Sequence, residues 1–97
     1  MPQYLIERHL PGAAGLSAEQ LSDIARKSVC AMKHLPGYRW EHTYVAGDRL
    51  YCVHEASSEE AVREHSRRGG FPILHITEIA ATFGPQDAET VATAAGR

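Results

Sequence analysis

Six histidines stand in a chain of 97 residues: His9, His34, His42, His54, His65 and His75. Imidazole nitrogens suit nickel, zinc, copper and iron, and carboxylates can complete an octahedral shell around such ions. The spacing offers no ready-made chelate. There is no Cys-x-x-Cys, no His-x-x-x-His and no His-Glu-x-x-His. Any metal centre has to be assembled from side chains that lie far apart along the backbone.

The stretch from Tyr38 to Ala56 carries most of the candidates. Its aromatic and β-branched flanks around Gly47-Asp48 predict two strands joined by a two-residue turn. That register sets Ala46 opposite Arg49, Tyr44 opposite Tyr51, Thr43 opposite Cys52, His42 opposite Val53 and Trp40 opposite Glu55. Alternation then places Trp40, His42, Tyr44, Tyr51, Val53 and Glu55 on one face. Glu41, Thr43, Val45, Leu50, Cys52 and His54 take the other. A face with aromatic rings, an imidazole and a carboxylate suits a polar cavity or a subunit interface. His42 and Glu55 are diagonal neighbours, about 7–8 Å apart at Cα and able to share an ion. The plainer alternative is a hydrogen bond between two half-buried polar groups. His54 and Glu41 make a similar pair on the opposite face.

His65 is expected where the second helix meets the sheet. It is either a core histidine bonded to a backbone carbonyl or a ligand or proton-transfer group facing a pocket. His75 opens the last strand near it. Glu7 lies inside the first strand, where a carboxylate is costly unless paired or solvated. Cys52 reads as a small core residue. Arg63, Arg67 and Arg68 read as a solvated helix face.

The elements that position these groups follow from pattern. Tyr4 to His9 is a strand with Tyr4, Ile6 and Arg8 on one side, ended by Pro11-Gly12. Ser17 and Gln20 fit a capping box, and Leu21, Ile24, Ala25, Ser28, Ala31, Met32 and Leu35 give the apolar stripe of a first helix. Pro36-Gly37 stops it. Ser57 and Glu60 predict the cap of a second helix, with Ala61, Val62, His65 and Gly69 on its inner face. Ile73 to Phe83 is expected as a last strand with Ile76, Ile79 and Phe83 in the core. The order βαββαβ predicts an α+β, ferredoxin-like fold. Two helices cover one face of a four-stranded antiparallel sheet. Residues 1–85 form the single domain and 86–97 a frayed or weakly helical tail. The uncovered face bears aromatic residues and needs a cover, so a sheet-to-sheet homodimer, the dimeric α+β barrel, is expected.

Composition narrows the function. The chain is 43% hydrophobic and 23% charged with a formal charge of -2, which suits one ordinary globular domain. No basic field invites nucleic acid, and no apolar run of about 20 residues spans a membrane. The N-terminal residues lack the basic and apolar regions of a secretory signal. Cys30 and Cys52 make no disulfide scaffold, and a cytoplasmic setting is expected.

Several blocks in one order carry a resemblance. They are Tyr4-Leu-Ile-Glu-Arg8, Leu10-Pro-Gly12, Trp40-Glu-His-Thr-Tyr-Val45, Asp48, Tyr51-Cys-Val-His-Glu-Ala56, Arg63-Glu-His65 and Gly70-Phe-Pro72. Together, over about Tyr4 to Pro85, the chain resembles a bacterial domain-of-unknown-function family of small nickel-binding or nickel-responsive proteins. The resemblance implies a ferredoxin-like dimeric α+β barrel and a bound transition metal. By motif position Glu7, His42, Glu55 and His65 match the family's polar signature. His54 stands where the family would have an aromatic residue, usually Tyr.

The expected function is a small cytoplasmic homodimer that binds nickel, or zinc or another divalent ion, for sequestration or response. The expected ligands are His42, Glu55 and His65, then Glu7 and His75. The alternative is a dimeric α+β barrel enzyme, a cofactor-independent oxygenase or isomerase, with His65 as acid/base and Tyr44 or Tyr51 orienting substrate. A purely structural interaction module is the third reading.

Overall fold

Residues 1–88 are described by a computed structural model of the chain. Strand β1 (Gln3–His9) is followed by a 3-10 turn at Ala13–Gly15 and helix α1 (Ala18–Met32). The hairpin β2 (Arg39–Ala46) and β3 (Arg49–Glu55) comes next, then α2 (Glu59–Gly69) and β4 (His75–Glu78). The sheet order is β2-β3-β1-β4 with every neighbouring pair antiparallel, the ferredoxin-like arrangement. The core lies between the sheet and the helices. Tyr4 and Ile6 of β1, Leu50 and Cys52 of β3 and Val62 of α2 form its centre.

The α1 cap is the expected box. Ser17 Oγ accepts from the Gln20 backbone N–H, and the Gln20 side chain accepts from the Ser17 N–H. The α2 cap is one residue later than expected: Ser58, not Ser57, accepts from the Ala61 N–H. Gly70, at φ 74°, ends α2 in the left-handed region.

The hairpin turns at Gly47-Asp48, with Gly47 at φ 60°. The loop after β1 grips this turn. Leu10 N–H donates to the Asp48 carbonyl, Ala14 N–H to the Gly47 carbonyl, and Gly12 N–H to Asp48 Oδ1. Register from Ala46↔Arg49 to His42↔Val53 is as the sequence predicts. Beyond His42 it shifts. A β-bulge between Trp40 and His42 pairs Trp40 with His54 and Arg39 with Glu55. The extra residue turns Trp40 to the helix side and leaves Glu41 on the open side, where it accepts from Gln3 Nε2 at 3.3 Å. The expected faces of Trp40 and Glu41 are therefore exchanged, and the His54–Glu41 pair does not form.

The last strand is shorter than expected. Its final tie is Ile79 N–H to the Gln3 carbonyl, at the point where its partner β1 begins. With no strand left to pair, Phe83 lies outside the sheet and is 86% exposed. Residues 85–88 form one helical turn, and 89–97 of the expected tail lie outside the described residues. Among the described residues no helix is long and apolar enough to cross a membrane.

The cap assignment is testable. Ser58→Ala is expected to lower unfolding free energy by about 1 kcal/mol in urea denaturation, while Ser57→Ala changes it by under about half as much.

Candidate functional site

Alternation along β1 separates the polar side chains into two compartments. Arg8 points toward the helices, and Glu7 points to the open face.

On the helix side, Arg8, Ser28, His54, His65 and Ser66 are all at most 5% exposed. The Tyr38 hydroxyl hydrogen-bonds to His54 Nδ1. Tyr38 stacks on His65 with ring centroids 4.8 Å apart, and His54 meets His65 edge-on at 5.0 Å. His65 Nε2 lies 3.1 Å from the Ser28 carbonyl oxygen and 3.2 Å from Ser28 Oγ. A carbonyl only accepts, so Nε2 carries the proton and Nδ1 is a bare acceptor. That Nδ1 is buried and has no partner among the described residues. Arg8 donates through Nη1 to Ser66 Oγ and to the Pro72 carbonyl, each at 2.9 Å. Its guanidinium carbon sits 5.3 Å from the centre of the Phe71 ring.

Burial sets the protonation here. It pushes the His54 pKa down to about 3, with the His65 and Arg8 charges adding to the effect. It lowers that of His65 too, against the hydrogen bond that His65 donates to the Ser28 carbonyl and with Arg8 assisting. It raises that of Tyr38 well above the ordinary phenol value. Both imidazoles are neutral and Tyr38 keeps its proton. A hollow of about 220 Å³ opens between α1 and β2 beside this cluster. Leu21, Ile24 and Ala25 of α1 and Trp40, Thr43 and Val45 of β2 are among the residues that line it.

The open face carries four of the five expected metal ligands. Tyr44, Tyr51, Glu7 and His75 are successive cross-strand partners, and so are His42, Val53, Leu5 and Thr77. Glu7 and His75 face each other directly. His42 and Glu55 are diagonal neighbours at the other side of the face. With strands about 4.8 Å apart and about 3.4 Å per residue along them, the two pairs lie roughly 14 Å from one another within one sheet. Glu7 Oε2 takes an Arg49 hydrogen bond at 3.1 Å, and Glu55 Oε1 is 3.9 Å from Arg39. His65 is on the far side of the sheet, 0% exposed and bonded to Ser28. Among the described residues, no three or more His, Cys, Asp or Glu side chains gather within reach of one ion.

The buried Arg8–Tyr38–His54 cluster is what sequence reasoning missed as a unit. Alternation puts Arg8 on the same side of β1 as Tyr4 and Ile6, but does not by itself say that this side faces the core. Tyr38, ahead of the strand, had no periodicity to place it.

Folded His54 and His65 resist protons that the unfolded chain accepts near pH 6.5, so stability is complete above that pH and declines as pH falls toward about 3. Denaturation between pH 7 and pH 4 is expected to show this loss. His54→Phe should make the slope shallower by up to about 1.4 kcal/mol per pH unit.

No curated protein matches the chain. A solved structure similar to it is the crystal structure of SCO4226 from Streptomyces coelicolor A3(2). It superposes with a TM-score of 0.71 at 22% identity, over 84% of this chain and 99% of that one. At that identity the likeness speaks for the fold. The family model for SCO4226-like nickel responsive proteins matches residues 4–79. The chain belongs to the SCO4226-like family of nickel-responsive proteins.

Proposed function

We propose that this protein is a cytoplasmic homodimer that binds nickel or a related divalent ion between two copies, for sequestration or response rather than turnover. The observation that carries the reading is the split of the open-face ligands into two pairs. Neither Glu7 with His75 nor His42 with Glu55 is a sufficient site. A two-fold axis through stacked sheets sets residue i of one copy against residue j of the other, and j against i. It can bring one copy's Glu7 and His75 to the second copy's His42 and Glu55. Each ion then has two imidazoles and two carboxylates, a nitrogen–oxygen set that suits nickel, with water at the remaining positions. The Glu7 carboxylate keeps Oε1 available, because Arg49 engages Oε2.

The same face supplies a reason to pair. Leu5 is 39% and Tyr44 62% exposed, with Val53 and Tyr51 half-buried beside them. Covering them removes apolar surface from water at about 25 cal/mol per Å². His65 has no part in this centre, since the sheet stands between it and the other four. The family name supports nickel as the ion.

Calorimetric titration of tag-free, metal-free protein with Ni²⁺, with sedimentation analysis alongside, tests the reading. Saturable binding at about one ion per chain by a dimer is expected. His75→Ala and His42→Ala should each weaken it by about tenfold or more. No saturable uptake by the wild-type protein, or undiminished uptake in both variants, would remove it.

A further inference from the structure

We infer that residues 79–83 are an exchanged arm: in a pair of copies, the Phe83 ring of each seats in the hollow between α1 and β2 of the other. The exchange rests on the pairing of two copies through their open faces, proposed above, and not on the metal.

Nothing holds the arm within its own copy. Its last tie to the sheet is the Ile79 N–H to the Gln3 carbonyl. Residues 80–83 are all exposed and make no backbone hydrogen bond among the described residues. Phe83, at 86%, is the most exposed large apolar side chain among them.

The opposite edge of the sheet has the matching need. β2 is an edge strand, so one row of its backbone N–H and C=O groups has no partner in the sheet. The hollow, about 220 Å³, lies on the helix side of that edge. Leu21, Ile24 and Ala25 of α1 and Trp40 and Val45 of β2 are among the residues that line it. All five are exposed or half-buried, so their apolar surface is open to an entering group. An apolar cavity near 150 Å³ holds benzene, and a phenyl ring therefore fits this one. A phenyl ring asks only for apolar walls and needs no polar group at the floor.

Arm and hollow of one copy leave from opposite edges, with β1 and β3 between them. A second copy brings them together. A two-fold axis along the strands, through stacked open faces, sets the β4 edge of each copy over the β2 edge of its partner. Stacked sheets lie about 10 Å apart. The four residues after Ile79 reach about 14 Å when extended, enough to pass from one sheet to the other. Laid along the partner's β2, the arm gives its unpaired backbone groups to a strand that lacks partners on that side. Alternation turns Ala81 and Phe83 to one side together, and on the helix side that is where the hollow lies. The two-fold makes the exchange reciprocal, two arms for two hollows.

Trp40, in the wall of the hollow, is the chain's one tryptophan and reports on its occupancy. In a dimer mixed from isotope-labelled and unlabelled full-length chains, filtered NOEs are expected between the Phe83 ring of one copy and Leu21, Ile24 and Trp40 of the other. Phe83→Ser should move Trp40 emission to longer wavelength and raise the dimer dissociation constant in sedimentation by about tenfold or more. Ala25→Phe fills the hollow and should raise it similarly, and combining the two changes should add little. If Ala25→Phe does not fold, the NOEs and Phe83→Ser decide alone. At concentrations that keep Phe83→Ser dimeric, its nickel uptake per chain should equal that of the wild type. A wild-type dimer without these intermolecular NOEs, or one whose dissociation constant is unmoved by Phe83→Ser, overturns the exchange and leaves the metal-binding dimer standing. A monomeric wild-type protein overturns both.

Discussion

A strand sends successive side chains to opposite faces, and in β1 that rule divides the molecule's chemistry. Glu7 and Arg8 are covalent neighbours with opposite charge, yet they never meet. Arg8 enters the space under the helices, and Glu7 joins Arg49 on the open face. Because β1 sits inside the sheet, paired with β3 and β4, neither residue can turn around without breaking two ladders. Arg8 ties β1 to α2 and the segment after it, and Glu7 joins Arg49 and faces His75 on the open face.

Among the described residues, the core accommodates its cation without a buried carboxylate. Ser66 and the Pro72 carbonyl take one end of the guanidinium, and the Phe71 ring faces its carbon. The nearby imidazoles adjust by staying neutral, which removes the repulsion that two more positive charges would add. Tyr38 completes the arrangement with a hydrogen bond to His54 and as a flat surface against His65.

Much of the fold was legible because short-range rules govern it. The Ser17–Gln20 box, the Gly47-Asp48 reversal and the inner face of α2 all follow from residues within a few positions of each other. Errors arose where distant partners decide. The bulge at Glu41 exchanges the faces of Trp40 and Glu41, and nothing within Trp40-Glu-His42 announces an extra residue. Phe83 has strand chemistry, but β1 has already ended where it would need a partner. Alternation alone puts His42 and Glu55 on one face, whereas His75, expected near His65, pairs with Glu7 on the opposite side of the sheet from it. His65 is on the helix side because helix and sheet meet only on the covered face. Its contact with Ser28, and the coupling of Arg8 to α2 through Ser66, span 37 and 58 positions of sequence and left no local mark.

The grip of residues 10–14 on the hairpin reversal bears on how this scaffold can be extended. Tips of surface reversals commonly accept grafted peptides or inserted reporter domains. Here both carbonyls and the carboxylate of Gly47-Asp48 are already engaged from outside the hairpin. A graft at that tip would detach the connector from the reversal and loosen the docking of β1 itself.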